Sequence, residues 1–81
     1  MDRILLVSED EKLKKDLASR LSDLGFHMRL AVAGEQASTA VWQDHPDLIL
    51  FEYSRGSHAI QGFCKELRED EQTHGIPVVA L

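Results

Sequence analysis

The sequence predicts an α/β domain in which an open, parallel, four-stranded sheet is layered with helices. Three observations carry that prediction. Short apolar runs, Ile4-Leu5-Leu6-Val7, Leu48-Ile49-Leu50-Phe51 and Ile76-Pro77-Val78-Val79-Ala80-Leu81, alternate with stretches of helical periodicity. The run at Leu48 to Phe51 is apolar on both faces, as strands are when helices cover a sheet from each side. The connections are short, and the order βαβαβαβ argues for right-handed crossovers between parallel strands.

Ile4 to Val7 is too short for a helix and reads as a buried strand. Ser8-Glu9-Asp10-Glu11 then opens a helix, with Ser8 and Glu11 at capping-box spacing. Leu13, Leu17, Leu21 and Leu24, with Ala18 beside them, form one apolar stripe on that helix. Gly25 ends it, in the left-handed conformation that glycine tolerates best. Phe26 to Val32 reads as a half-buried strand towards a sheet edge. Phe26, Met28, Leu30 and Val32 are expected on one side, with His27, Arg29 and Ala31 on the other.

Gly34 turns the chain into a second helix, with Ala37, Ala40 and Val41 inward. His45-Pro46 stops that helix, because the residue before proline avoids the helical region. Leu48 to Phe51 is the third strand. A Ser, Arg and Gly loop follows. A third helix then carries Ile60, Phe63, Cys64 and Leu67 inward and Lys65, Glu66, Arg68 and Glu69 outward. Ile76 to Leu81 is the fourth strand, with Pro77 near its start, where a missing donor is tolerated.

With 81 residues there is room for one domain, and its core is small. A net charge of −5 argues against a nucleic-acid surface within this segment. The apolar runs are far shorter than the roughly 20 residues a membrane span needs. The N-terminus lacks signal-peptide architecture. A single cysteine, Cys64, excludes an internal disulfide framework, and a cytoplasmic setting is the expectation. His27, His45, His58 and His74 show no zinc spacing. No Gly-rich phosphate loop or nucleophile elbow occurs, so an enzyme is not expected.

The landmarks Ile4-Leu5-Leu6-Val7 followed by acids, Gly25-Phe26, Gly34-Glu35, Pro46-Asp47-Leu48-Ile49-Leu50, Leu67-Arg68-Glu69-Asp70 and Ile76-Pro77-Val78-Val79 belong together. With them, residues 1–81 resemble the N-terminal two-thirds of a response-regulator receiver domain. The resemblance implies a flavodoxin-like (CheY-like) sheet of order 2-1-3-4, with a fifth strand and last helices that this chain does not contain. It implies the cytoplasmic input module of a bacterial two-component-type regulator, with a histidine kinase or an output domain as protein partner.

The resemblance also marks departures. Glu52 stands where the family carries its phospho-accepting Asp. The family's acidic pair falls on Ser8 and Glu9, with Asp10 beside them as further charge. In the family these positions hold Mg²⁺, an ion that demands hard oxygen ligands in near-octahedral geometry. Ser8 adds no charge, and Glu9 and Glu52 are each one methylene longer than Asp. No resident cofactor is expected, and weak Mg²⁺ binding at Glu9 and Glu52 is the most these positions are expected to support. Ser8 reads as a helix cap. Arg55 is a candidate substitute for the metal's charge, paired with Glu52 or Glu9; a solvated loop cation is the alternative.

A pseudo-receiver follows, independent of phosphorylation or mimicking it, and acting by protein contacts. One alternative is a working receiver phosphorylated at Glu52 with the help of Mg²⁺. Another is a fragment that self-associates. Trp42 is a candidate interface residue, with packing against the Pro46 turn as the plainer reading. Val78, Val79 and Leu81 are expected on an apolar edge open to pairing with another chain. Side chains of the first and third strands are expected to be uncovered on the face beside the first helix.

Overall fold

The computed structural model describes residues 2–32, 35–52 and 59–81. Its elements are β1 (Arg3–Val7), α1 (Glu11–Asp23), β2 (His27–Ala31), α2 (Glu35–Asp44), β3 (Leu48–Phe51), α3 (Ala59–Arg68) and β4 (Val78–Ala80). The strands pair in parallel in the order β2-β1-β3-β4, as expected. β1 and β3, the continuous apolar runs, occupy the centre.

Alternation along the strands divides the sheet into two faces. Leu5, Val7, Ala31, Ile49 and Phe51 share one face and cluster with Ala37, Ala40 and Val41 of α2 and with Phe63 and Leu67 of α3. The Phe51 and Phe63 rings lie 5.5 Å apart and are tilted by 49°, a favourable aromatic arrangement. Ile4 and Leu6 point to the other face, and both are buried. Leu13, Leu17 and Leu21 of α1 are half-buried.

α1 ends as expected. Gly25 has φ 98°, its N–H donates to the Ser22 carbonyl, and the Phe26 N–H donates to the Leu21 carbonyl. This is a Schellman ending, with Leu21 and Phe26 both lining an apolar groove of about 500 Å³. α2 ends at His45-Pro46, where His45 takes φ 47°. At the amino end of the sheet, the Arg3 N–H donates to Asp47 Oδ2 at 2.8 Å and Arg3 Nη1 donates to the Asp44 carbonyl at 2.9 Å. Those bonds tie the end of α2 to the start of β1.

Four expectations are corrected. In β2, Ala31 is the fully buried residue, and Leu30 is 39% exposed. The alternation holds at the other positions: Phe26, Met28 and Val32 are half-buried, and His27 and Arg29 are exposed. The small Ala31 lies under α2, whereas Leu30 lies at the outer edge of the opposite face. Leu24 is not part of the α1 stripe: it is the C-cap residue and is 74% exposed. On the face beside α1, the β1 side chains Ile4 and Leu6 are covered, whereas Leu48 and Leu50 of β3 are half-open as expected. Cys64 is half-buried rather than in the core.

β4 is three residues long, shorter than the run from Ile76, although Ile76 and Val78 still pack against the core. Thr73 was not anticipated. It is buried, and its hydroxyl donates to the Leu67 carbonyl at 2.7 Å, satisfying an acceptor at the end of α3. The expectations for Gly34, for Arg55 and for the side chain of Ile60 lie outside the described residues.

Candidate functional site

Parallel pairing brings the carboxyl ends of β1 and β3 side by side, with Val7 opposite Phe51. The next residue on each strand is Ser8 and Glu52. The Glu52 N–H donates to the Val7 carbonyl at 2.9 Å, and the Ser8 N–H donates to the Ala31 carbonyl at 3.0 Å. The backbone therefore fixes both residues before any side-chain contact forms. Open α/β sheets place their sites at this end of the strands.

The side chains meet there. The Ser8 hydroxyl donates to Glu52 Oε2. Ser8 Oγ in turn accepts from the Asp10 N–H at 2.9 Å. Ser8 is only 2% exposed. Glu52 is half-buried, whereas Glu9 and Asp10 are exposed.

This geometry corrects the reading of Ser8 as the helix cap. The cap of α1 is Asp10, with φ −86° and ψ 105°, and its Oδ1 accepts from the Leu13 N–H at 3.0 Å. A capping box at Ser8 would need the Ser8 N–H for the Glu11 side chain, and that N–H is already committed to β2. Glu11 instead pairs with Lys14 at 3.0 Å. Lys14 is buried, which the sequence reading did not single out. A long aliphatic stem lets a lysine lie along a helix while its head reaches an exposed carboxylate.

No group of three His, Cys, Asp or Glu side chains among the described residues could hold a metal ion. Of the carboxylates at this end, Glu52 is bonded to Ser8, and Asp10 is engaged in capping α1. Among the described residues, the carboxylates at this end therefore offer a Mg²⁺ ion at most Glu9 and the second oxygen of Glu52.

The other candidates lie apart. Trp42, on α2, is 44% exposed. Val79 and Leu81 are 45% and 51% exposed, and Val78 is half-buried. A cleft of about 590 Å³ opens at the opposite end of the sheet, lined by Arg3, His27, Arg29 and Asp44 among others. Arg29 pairs there with Asp44 at 3.3 Å, so its charge is answered within the protein.

The chain has the CheY-like receiver fold, and its sequence is similar to the N-terminal part of response regulators. It is 38% identical over 80 residues to the DNA-binding response regulator MtrA of Mycolicibacterium smegmatis, a match that covers 98% of this chain and 33% of MtrA. The chemotaxis response regulator CheY4 of Vibrio cholerae superposes with a TM-score of 0.88 at 20% identity, covering 99% of this chain and 67% of CheY4. The pseudo-receiver domain of the CikA protein superposes with a TM-score of 0.78 at 23% identity, covering 99% of this chain and 68% of that one. The chain spans about a third of the length of the curated relatives it matches. No family model matches it.

Proposed function

We propose that the chain is the input domain of a two-component-type regulator and works as a pseudo-receiver. It signals by protein contacts and without an aspartyl-phosphate cycle. The observation that carries this reading is the Ser8 hydroxyl bonded to the Glu52 carboxylate at the phospho-acceptor position. Phosphoryl transfer depends on positioning and on neutralisation of the developing charge. Here a neutral hydroxyl stands in place of one family acid, and the carboxylate is a methylene longer. Glu52 supplies a single fixed negative charge, a partial substitute for a phosphoryl group carrying nearly two.

The domain is a contact module rather than an enzyme. Its partners are a histidine kinase or an output domain, and its setting is the cytoplasm. Among the described residues no helix is long and apolar enough to cross a membrane. MtrA is a DNA-binding regulator by name; the net charge of −5 argues against a DNA contact within this segment. Trp42 is the aromatic we assign to partner contact, since aromatic residues are enriched at interfaces.

Incubation with acetyl phosphate and Mg²⁺, followed by intact-mass measurement, tests the reading. No stable adduct is expected. A gain of one phosphoryl group on Glu52 would establish a working receiver instead.

A second reading rests on the exposed Val79 and Leu81 at the outer edge of β4. Among the described residues β4 pairs only with β3, and an unpaired apolar edge is a template for another chain. Self-association would appear as a concentration-dependent mass in sedimentation equilibrium, lost in Val79→Lys. A monomer at every concentration removes this reading.

A further inference from the structure

We infer that Ser8 is a latch that holds the pocket at the ends of β1 and β3 in a cation-free state. The inference deepens the pseudo-receiver reading and rests on it. Its basis is the run of hydrogen bonds from the Asp10 N–H to Ser8 Oγ, and from the Ser8 hydroxyl to Glu52 Oε2. In such a chain each bond polarises the next, so the hydroxyl becomes a better donor because it is itself an acceptor. Ser8 is 2% exposed, so water competes poorly for its hydroxyl.

A Mg²⁺ ion drawing on Oε2 of Glu52 would have to break this arrangement. The ion takes oxygen ligands at about 2.0–2.1 Å in near-octahedral geometry and gives up its water reluctantly. To bind it through Oε2, Glu52 would turn that oxygen away from Ser8 and leave a buried hydroxyl without its acceptor, and Oε1 alone offers the ion a single ligand. An unmade hydrogen bond in a buried place is costly. The other carboxylates offer little in exchange. Glu9 is exposed, and Asp10 Oδ1 caps α1. One neutral side chain thus does two things: it removes a charge that a cation would need, and it occupies one oxygen of Glu52. It also ties the turn before α1 to the end of β3, so Ser8 is a positioning residue for Glu52.

The test is a Mg²⁺ titration of the ¹⁵N-labelled chain with no phosphodonor present, run on the wild type and on Ser8→Asp. In the wild type the amides of Ser8, Glu9, Asp10 and Glu52 are expected to show no saturable shift through the millimolar range. Ser8→Asp places a second carboxylate against Glu52. Its repulsion is relieved by a cation, so saturable shifts at those amides and a rise in Tm with Mg²⁺ are expected. If Ser8→Asp is unfolded without metal, it is expected to fold on adding MgCl₂ and not on adding NaCl of equal ionic strength. Ser8→Thr keeps the hydroxyl and is expected to be as indifferent to Mg²⁺ as the wild type.

Saturable wild-type shifts at Glu9 and Glu52 would overturn the inference. So would a Ser8→Asp chain that ignores Mg²⁺ in both its folding and its spectrum. A phosphoryl adduct on Glu52 would instead defeat the functional reading, and the two failures are read by different measurements.

Discussion

Ile49→Ala is expected to destabilise the domain by about 2–5 kcal/mol, the range for deleting a large aliphatic side chain from a core. Ile49 is fully buried at the centre of the sheet. It lies opposite Leu5 on one side and Val78 on the other, and it belongs to the cluster shared with α2 and α3. Its neighbours are held by three strands and cannot collapse into the space. At roughly 0.05–0.15 kcal/mol per residue, a chain of this size has on the order of 4–12 kcal/mol in total. The substitution therefore removes a large share of the stability. Urea denaturation should show a much lower midpoint with an unchanged slope. Val79→Ala, at an exposed position on β4, should stay within about 0.5 kcal/mol of the wild type.

The second large effect is expected at Ser8. Ser8→Ala removes a bond to a charged group and should cost about 1.5–3 kcal/mol. Asp10→Ala removes the N-cap of α1 and should cost about 1 kcal/mol. The ranking is the informative part. If Ser8 served as the cap, Ser8→Ala would carry the capping cost and Asp10→Ala would be nearly silent. Paired urea melts of the two variants distinguish these outcomes. In the arrangement described, adding Glu52→Ala to Ser8→Ala should cost less than the sum of the two single changes, because they remove the same bond.

Much of the fold is legible in the sequence because its strongest signals are local. Ile4 to Val7 and Leu48 to Phe51 are continuous apolar runs, and they became the two central strands. Gly25 and His45-Pro46 mark helix ends through backbone chemistry that hardly depends on tertiary context. What failed depends on neighbours distant in sequence. In β2 the large side chains looked like the inward set, yet Ala31 is the buried residue, because α2 approaches closely where Ala31, Ala37 and Ala40 are small. Thr73 looks like any loop residue; its hydroxyl has a structural role only because the chain folds back onto the Leu67 carbonyl.

The site was half legible. The carboxylate at Glu52 and the missing charge at Ser8 could both be read along the chain, and so could their placement at the same end of the sheet. The bond between them could not. Ser8 followed by Glu11 has the spacing of a cap, and only the pairing of β1 with β2 shows that the Ser8 N–H is spoken for. With that N–H engaged, Asp10 takes the capping role and the Ser8 hydroxyl is left to face Glu52.

The most direct test of this account observes the Ser8 hydroxyl proton itself by NMR at low temperature. The account predicts a resolved hydroxyl resonance, protected from exchange with water, with cross-relaxation to the Glu52 γ-methylene protons and to the Asp10 amide. A Ser8 hydroxyl in fast exchange, with the Glu52 side chain turned out to solvent, would contradict it.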